Sequence, residues 1–450
     1  MSKQIVIIGG GPAGIEAARE AVRAGGRVAL VSNAPLGGRA GWHSLSPSKV
    51  WLTTADTLGL FAEADALGLH LETGCQPNLA GILARIQEIT TAWNTEQAEE
   101  LRELGVEMIT GTAVFTQPHE LAIKDKEGNV TATLTADAFI VATGSVPRFP
   151  PQMKPDGKRV IAPRFAKHLQ AIPRSIVVVG GGATGSEFAY LFNRVGTAVT
   201  WIVDDQGVLP SFRPDVGRFL AEALVKQGVK LVAGQLAQRI DRDEEKVRVI
   251  LADGAAYEAE MAFLAIGRNP DLTGINLAAA GLDGGGVPAL DEYGRTPNPS
   301  IYIVGDAAGD PMIANRAMAQ ARIAARHALG APTPPYRPET VVAATYTEPQ
   351  AAQVGNVAPS DNVGTARLPF TAVLKARLLA HNEGFVELAY EKDSLRVTGA
   401  TAVGPHAADV LAPVAPALEK EAAIPDLAAI YPAHPTLSEL VFMAARAVIG

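Results

Sequence analysis

Two segments of the chain follow the same plan, and this repeat constrains the fold more than any other feature of the sequence. Residues 4–31 read QIVIIGGGPAGIEAAREAVRAGGRVALV, and residues 175–203 read SIVVVGGGATGSEFAYLFNRVGTAVTWIV. Each runs from an apolar strand through a glycine-rich turn into an amphipathic helix, and then through a glycine into a second apolar strand. This pattern is typical of a βαβ unit that binds a dinucleotide. Two copies predict two dinucleotide sites.

The first unit supplies candidate contacts at its turn and at the end of its second strand. Gly9, Gly11 and Gly14 would provide the tight turn, the close approach of a pyrophosphate and the close packing of the helix. The N-terminus of that helix would face the phosphates. An acidic residue usually follows the second strand and binds the adenosine ribose, but here that position is Ser32. The charged bidentate contact to the ribose is therefore lost.

The second unit has the same turn, formed by Gly180, Gly182 and Gly185. Its second strand runs into Asp204 and Asp205, and the VLPS segment that follows contains no arginine. Because acidic residues repel a 2′-phosphate, the sequence favours NADH over NADPH. The alternative is that both aspartates are solvated loop residues.

The sequence outside these two units predicts further elements and the domain boundaries. Residues 81–104 have the pattern of a long amphipathic helix, and short strands are predicted near 120–125 and 129–135. The proline-rich crossover in FIVATGSVPRFPP and the linker APTPPYRPET mark domain boundaries. The predicted fold class is α/β, with two Rossmann-like dinucleotide-binding domains and a C-terminal α+β domain. The predicted domains are 1–150 with 271–335, then 151–270, then 336–450.

Composition excludes several classes of function. The 450 residues carry a net charge of −8, which argues against a nucleic-acid partner, since such proteins present a basic face to the phosphates. No apolar run approaches the roughly 20 residues of a membrane span, so a cytoplasmic protein is expected. Cys75 is the one cysteine of the sequence, and no intrachain disulfide can form. No metal site is predicted.

Two further positions carry candidate chemistry. Asp306 follows a buried strand and Gly305, and we favour a contact to a polyol or ribose hydroxyl over the alternative of a helix N-cap. His434 precedes Thr436 and Glu439, which fit a capping box. The alternative is a His434–Glu439 pair in which the carboxylate orients a basic imidazole. The spacing leaves both interpretations open.

Taken in order, the motifs of the chain resemble those of the flavin-dependent pyridine nucleotide–disulfide oxidoreductases, the group of dihydrolipoamide dehydrogenase, glutathione reductase and mercuric reductase. They span nearly the whole sequence: GGGPAG, LGG with PSK eight residues later, VATGS, GGGATGSE, AIGRNP, IYIVGDAAG, TEPQAAQVG, AVGPHAADV and AHPTLSE. The resemblance implies FAD on the first unit and NAD(P)H on the second. It also implies a homodimer whose C-terminal domain contributes His434 to the partner subunit's active site.

The resemblance also implies roles for individual residues. Lys49 would lie near flavin N5, paired with Glu187 on the nicotinamide side. His434 and Glu439 would be a base and the acid that orients it. The remaining cofactor contacts implied are Gly38, Thr143, Gly144 and Asp306 for FAD, and Gly267 for NAD.

One part of the family pattern is missing. The family's redox motif has a cysteine, four residues, a second cysteine, three residues and a lysine. Aligning that lysine with Lys49 places Ala40 and Leu45 on the two cysteines. Electrons therefore cannot pass through a disulfide to a thiol-type substrate. Ala40 and Leu45 suggest instead an apolar slot for a flat acceptor, flanked by Trp42 and by His43, for which a structural or solvent-facing role is the alternative.

The sequence thus predicts an FAD-dependent NAD(P)H dehydrogenase that passes electrons from NADH through the flavin to a non-thiol acceptor such as a quinone. Three alternatives stay open. The first is a soluble nicotinamide nucleotide transhydrogenase, and the second is a hydrogen-peroxide-forming oxidase. The third is a non-catalytic flavoprotein relative that acts as a partner or regulatory subunit.

Overall fold

The chain forms two compact units in a computed structural model that describes residues 2–70, 72, 74–380 and 383–450. The first unit combines Met1–Pro47, Ala84–Arg148 and Arg268–Tyr336. The second combines Ser48–Leu83, Phe149–Gly267 and Arg337–Gly450. The boundaries proposed above for FAD-binding, NAD(P)-binding and dimerisation domains stay a prediction.

The strands are short and are spread along the whole chain. In chain order they are β1 (Gln4–Ile8), β2 (Arg27–Ser32), β3 (Glu107–Thr110), β4 (Thr112–Gln117), β5 (Glu120–Lys124), β6 (Val130–Thr135), β7 (Ala138–Val141), β8 (Ser145–Pro147), β9 (Val160–Ile161), β10 (Ser175–Val179), β11 (Ala198–Val203), β12 (Lys230–Ala233), β13 (Ala237–Arg242), β14 (Val247–Leu251), β15 (Ala256–Ala259), β16 (Met261–Leu264), β17 (Arg268–Pro270), β18 (Ile301–Ile303), β19 (Ala343–Thr345), β20 (Gln350–Gly355), β21 (Val363–Pro369), β22 (Phe385–Glu391) and β23 (Val397–Gly404).

The α-helices lie between groups of these strands. In chain order they are α1 (Pro12–Arg23), α2 (Gly38–His43), α3 (Leu45–Ala62), α4 (Leu79–Glu103), α5 (Ala183–Arg194), α6 (Pro214–Lys226), α7 (Ala314–Ala328), α8 (Leu374–Leu378), α9 (Ala407–Leu411), α10 (Val414–Glu419), α11 (Ile424–Ala428) and α12 (Glu439–Ile449).

The first unit is built on a parallel sheet with strand order β18-β7-β1-β2-β3. Because side chains alternate along a strand, Ile5 and Ile7 of β1 pack with the alanine-rich faces of α1 and α7. Val6 and Ile8 pack on the other side, with the antiparallel sheet β4-β5-β6. This sheet buried on both faces is the first Rossmann-like unit, and the glycine turn after β1 lies at its carboxyl edge.

The second unit contains a matching parallel sheet, with strand order β12-β11-β10-β16-β9. One face packs with the antiparallel sheet β13-β14-β15. Phe188 of α5 stacks on Phe263 of β16, with ring centroids 4.0 Å apart. The same unit holds a five-stranded antiparallel sheet of order β19-β20-β23-β22-β21, whose core includes α12.

Both sheets confirm the predicted α/β class, and the predicted helix over residues 81–104 appears as α4. The strands expected near 120–125 and 129–135 appear as β5 and β6. Within the described part of the chain, no helix is both long and apolar enough to cross a membrane.

Candidate functional site

The first glycine turn has the geometry that a dinucleotide requires. Gly9 has a φ of +112°, and a Cβ there would overlap the carbonyl oxygen of Ala142. A Cβ on Gly14 would overlap the carbonyl oxygen of Gly9, so the helix packs directly on the strand. Gly11, in contrast, faces open space, with no atom within 4 Å of a built Cβ. Gly11 is also the N-cap of α1 and makes no side-chain cap hydrogen bond, which leaves the helix N-terminus for an anion.

A second pair of glycines packs against this turn. Gly37 N–H donates to the carbonyl oxygen of Gly10 at 2.8 Å, and a Cβ on Gly38 would lie 2.9 Å from the Cα of Gly11. Gly37 and Gly38 have φ of +97° and +55°. Gly38 therefore lies beside the turn, and a side chain there would collide with it; its contact to FAD stays a prediction.

The VATGS segment and Asp306 come together in the first unit. Ser145 Oγ donates to Asp306 Oδ2 at 2.5 Å, and Arg268 Nε donates to Ser145 Oγ at 2.7 Å. Asp306 lies in a 3-10 turn, Gly305–Ala308, and its carboxylate caps no α-helix. Of the two interpretations of Asp306, the helix-cap one is therefore not what this structure contains.

The neighbouring backbone supplies further room and an unused donor. The buried hydroxyl of Thr143 has no hydrogen-bond partner among the described residues. Gly144 has a φ of +76° and faces open space. An unpaired buried hydroxyl beside an open turn is what a polar ligand would satisfy. Together with Gly11, these features fit a bound FAD.

Sequence reasoning overlooked Arg39 in this region. Its guanidinium donates to the carbonyl oxygens of Thr143 and Ser145, at 3.3 and 3.1 Å, and to Asp271 Oδ2 at 2.5 Å. Arg39 thereby ties the segment after Gly38 to the VATGS turn. Its position next to Ala40 was visible in the sequence, but its partners are 104 and more positions away.

The hydroxyl of Ser32 forms its hydrogen bonds within its own turn. It donates to the carbonyl oxygen of Ala34 at 2.7 Å and accepts from Ala34 N–H at 3.3 Å. The single hydroxyl proton is therefore already used, and Ser32 retains only acceptor capacity for a ribose.

The second glycine turn repeats the first. A Cβ on Gly180 would overlap the carbonyl oxygen of Ala265, whereas Gly182 and Gly267 face open space. Gly185 packs against the carbonyl oxygen of Gly180. The end of β11 is followed by the half-buried Asp204, whose Oδ1 accepts from Gln206 N–H at 3.2 Å. Asp205 is exposed.

A salt bridge of the second unit joins Lys49 of α3 to Glu187 of α5. Lys49 Nζ lies 2.7 Å from Glu187 Oε1, and the Glu187 side chain is only 9% exposed. Glu187 Oε1 also accepts from the backbone N–H of Tyr346 at 3.1 Å. A nearly buried carboxylate is costly unless it is paired and hydrogen-bonded, and both conditions are met here.

Tyr346 completes this cluster and was not singled out from the sequence. Its ring centroid lies 4.4 Å from Lys49 Nζ, a cation–π contact, and 39% of the residue is exposed. Burial raises the pKa of its phenol, and the charges of Glu187 and Asp409 add to that shift. The signal in the sequence was the TEPQAAQVG motif that follows it, but nothing local connected Tyr346 to Lys49.

The segment that replaces the redox motif is not one continuous helix. Helix α2 ends at His43, Ser44 has φ −139° and ψ −70°, and α3 begins at Leu45. Ala40 is half-buried on α2, while Leu45 is 40% exposed. Trp42 Nε1 donates to the carbonyl oxygen of Leu36 at 2.6 Å, and His43 is exposed.

His434 and Glu439 form a pair, as one of the two interpretations of the sequence predicts. His434 Nδ1 lies 2.9 Å from Glu439 Oε2. The other oxygen, Oε1, accepts from Thr436 N–H at 2.6 Å, as in half of a capping box. Burial acts to raise the pKa of Glu439, but the hydrogen bonds from His434 and Thr436 outweigh it and hold this pKa below its ordinary value. One carboxylate thus serves both contacts.

Comparison with known proteins gives matches along the whole chain. The family model for pyridine nucleotide-disulphide oxidoreductases matches residues 3–321, and the model for the dimerisation domain of these proteins matches residues 341–445. An NAD(P)H dehydrogenase (quinone) of Mycobacterium tuberculosis is 31% identical over 100% of this chain and 94% of its own length. Dihydrolipoyl dehydrogenase 2 of Haloarcula marismortui is 30% identical, with 99% and 97% covered.

Solved structures give the same result. The crystal structure of LpdA from Mycobacterium tuberculosis aligns with a TM-score of 0.94 at 30% identity, and the alignment covers 100% of both chains. The HOCl-induced flavoprotein disulfide reductase RclA of Escherichia coli, solved as a Cu(II) complex, aligns with a TM-score of 0.85 at 23% identity over 100% of both chains. At that identity RclA shares the fold alone.

Proposed function

Because this chain belongs to the pyridine nucleotide-disulphide oxidoreductase family, which uses FAD and a pyridine nucleotide, we propose that it oxidises NADH and reduces a non-thiol acceptor, a quinone. The observation that carries this proposal is a contrast. The Lys49–Glu187 pair is formed, whereas the positions of the two redox cysteines hold Ala40 and Leu45. A quinone acceptor is further supported by the printed name of the Mycobacterium relative.

The residues of the first unit would hold the cofactor. Gly9 and Gly14 allow the tight turn and the close helix packing, Gly11 leaves space for the pyrophosphate, and Thr143 and Asp306 offer a hydroxyl and a carboxylate to the sugar and ribitol hydroxyls. When bound, FAD accepts two electrons from a nicotinamide and releases them singly or together. The overall reaction is NADH + H⁺ + quinone giving NAD⁺ + quinol, with the second proton taken from solvent.

The pair in the second unit would act on the nicotinamide. As NADH gives up two electrons and a proton, its ring gains positive charge, and the carboxylate of Glu187 stabilises that charge. Lys49 and the N–H of Tyr346 hold this carboxylate in place, at 2.7 and 3.1 Å. Their role is to orient a charge in advance, so that little reorganisation is needed during the reaction.

The nucleotide is proposed to be NADH because two aspartates, Asp204 and Asp205, follow β11 and the next arginine along the chain is already paired. The first arginine after Asp204 and Asp205 is Arg213, and its guanidinium pairs with Glu387 and with Asp215. Asp204 and Asp205 themselves would repel a phosphate dianion and accept hydrogen bonds from ribose hydroxyls.

His434 and Glu439 are proposed to give a proton to the reduced acceptor. In the family arrangement His434 serves the partner subunit's site, and the matched dimerisation domain supports a homodimer. Glu439 accepts from Nδ1–H, so Nε2 of the imidazolium form would give the proton to the acceptor, and the ring would regain that proton from solvent.

The test is anaerobic stopped-flow spectroscopy of the FAD-loaded protein. We expect NADH to bleach the flavin, with NADPH at least about tenfold slower, and no thiolate–flavin charge-transfer band to form. Cys75→Ser is the matched control and should leave both spectra unchanged, since Cys75 is exposed. A flavin that NADH does not bleach contradicts the proposal and favours a non-catalytic role.

The acceptor is tested by steady-state NADH oxidation with a panel of quinones, dyes, dihydrolipoamide-type disulfides, nicotinamide analogues and oxygen. We expect turnover with quinones and none above background with disulfides. Hydride exchange between NADH and an NAD analogue that outpaces quinone reduction would identify a transhydrogenase instead. Rapid reoxidation by air alone would identify an oxidase.

A further inference from the structure

The guanidinium of Arg39 joins the two segments that carry the proposed contacts to FAD. One segment holds Gly37 and Gly38, which pack against the first glycine turn. The other is the VATGS turn, with the unpaired hydroxyl of Thr143 and the open Gly144. All of these residues lie in the first compact unit. A side chain that contacts both segments can fix the distance between the two parts of the site.

One end of this link lies beside the first glycine turn. A Cβ on Gly38 would lie 2.9 Å from the Cα of Gly11, and Gly11 faces the open space proposed for the pyrophosphate. Arg39 directly follows Gly38, in the first turn of α2. Gly41 N–H donates to the carbonyl oxygen of Gly37 at 2.8 Å and closes that turn. The backbone of Arg39 is therefore held next to the place of the pyrophosphate.

The other end of the link binds acceptors that are themselves fixed. Arg39 Nη1 donates to the carbonyl oxygens of Ser145 and Thr143, at 3.1 and 3.3 Å, and Nη2 donates to Asp271 Oδ2 at 2.5 Å. Strands β8 and β17 pair in antiparallel fashion, and Asp271 N–H donates to the carbonyl oxygen of Gly144 at 2.9 Å. Arg39 thus binds a platform whose backbone is already hydrogen-bonded.

A second guanidinium shares one of these acceptors. Arg268 Nη2 donates to the carbonyl oxygen of Ser145 at 2.8 Å, so Arg268 and Arg39 meet at one oxygen. Burial and the charge of Arg39 lower the pKa of Arg268, and the charge of Asp306 opposes them. Asp271, with 15% of its side chain exposed, pairs with Arg39. This ion pair compensates the repulsion between the two cations and keeps Arg39 in place.

We propose that Arg39 is a positioning residue for FAD, which holds the Gly38 segment and the VATGS turn at the separation that the cofactor needs. This role rests on the FAD-dependent function proposed above. Binding a ligand costs free energy for ordering the segments around it, and segments that are already fixed avoid that cost. Arginine suits this role because its planar guanidinium donates in several fixed directions, whereas a lysine ammonium is a single point charge.

The first test is the dissociation constant of FAD, measured by ultrafiltration of the diluted holoenzyme. We expect Arg39→Ala to raise this constant about tenfold, the effect of one charge-assisted hydrogen bond. Arg39→Lys should raise it about threefold, since an ammonium can still pair with Asp271. Arg295→Ala is the matched control, because it removes a similarly exposed ion pair of the same unit, and its constant should stay within about twofold of the wild type. An unchanged constant in Arg39→Ala overturns the proposal.

A milder change on the partner side keeps the test informative if Arg39→Ala folds poorly. Asp271→Asn keeps an acceptor but loses the charge, and should raise the dissociation constant of FAD about threefold. Arg39→Ala combined with Asp271→Asn should bind FAD no more weakly than Arg39→Ala alone, because both substitutions remove the same contact. Effects of the two substitutions that add in full would overturn the proposal.

The second test separates positioning of FAD from a purely structural role. A residue that only stabilises the fold lowers the urea midpoint equally without FAD and with saturating FAD. A residue that also strengthens FAD binding contributes to the rise in midpoint that FAD produces. We expect this rise to be smaller in Arg39→Ala than in the wild type, and unchanged in Arg295→Ala. Equal rises in Arg39→Ala and the wild type overturn the proposal.

These measurements need no NADH, so they separate two kinds of failure. If NADH does not bleach the flavin while Arg39→Ala weakens FAD binding, the proposed function fails and the role of Arg39 stands. If NADH bleaches the flavin while Arg39→Ala and the wild type bind FAD equally, the proposed function stands and the role of Arg39 fails.

Discussion

At the residue scale, the pairing of Lys49 with Glu187 is the contact whose removal has the most direct consequence. Lys49→Met leaves the carboxylate of Glu187, 9% exposed, with the N–H of Tyr346 as its remaining donor among the described residues. We expect flavin bleaching by NADH to slow roughly 10²-fold, and stability to fall by about 1–3 kcal/mol, because an unpaired buried charge remains. Stopped-flow and urea titration measure the two effects. Lys226→Met, which breaks an exposed pair with Glu383, should change neither.

Ser32 gives a second expectation at this scale, concerning FAD affinity. The Ser32 hydroxyl proton is used by Ala34, so Ser32→Ala should change the FAD dissociation constant by less than about threefold. Ser32→Glu restores an acidic ribose ligand and should tighten FAD binding about tenfold, the value of one charge-assisted hydrogen bond. Flavin release measured by ultrafiltration gives both constants. Equal affinity in the wild type and Ser32→Glu would contradict the predicted ribose position.

At the scale of elements, the start of α6 is joined to β21 and β22 by a buried ion-pair network. Glu387 of β22, 7% exposed, pairs with Arg213 and with Arg367, and Arg367 also lies 2.5 Å from Asp215. Burial acts to raise the pKa of Asp215, but hydrogen bonds and charge from Arg367 and Arg213 lower it. The network therefore stabilises the fold above the ordinary pKa of an aspartate and loses that contribution as acid protonates Asp215.

Removing the central carboxylate tests this network. Glu387→Gln removes the buried carboxylate that both guanidinium groups share and leaves them with Asp215, and we expect a loss of about 3 kcal/mol in the free energy of unfolding at neutral pH. Glu391→Gln, on the same strand but in an exposed pair with Arg396, should cost less than about 1 kcal/mol. Urea denaturation followed by circular dichroism measures both. Equal costs would show that the network contributes no more than a surface pair.

At the scale of the whole molecule, the expectation concerns assembly. The dimerisation domain matched over residues 341–445 predicts a homodimer of twice 47.0 kDa. Sedimentation equilibrium of the FAD-loaded protein should give that mass across micromolar concentrations. A species of 47.0 kDa would contradict the proposed donation of His434 to the partner subunit's site.

Many elements of the fold could be predicted from the sequence because they depend on local patterns of residue types. The apolar run of β1 and the spacing of Gly9, Gly11 and Gly14 indicate a strand, a turn and a helix from neighbouring residues alone. The pairing of His434 with Glu439, five positions apart, was likewise one of the two interpretations that the sequence allowed. The break at Ser44 was not predicted from the sequence.

The sequence by itself determined the two βαβ units, the glycines of both turns, the place of Lys49 and the absence of cysteine at Ala40 and Leu45. Only the tertiary structure decided which side chains meet. Lys49 and Glu187 are 138 positions apart, and Tyr346 lies 159 positions beyond Glu187. The guanidinium of Arg39 also acquired its distant partners there. Periodicity records which face of an element is buried, whereas the partner on that face is set by how distant elements pack.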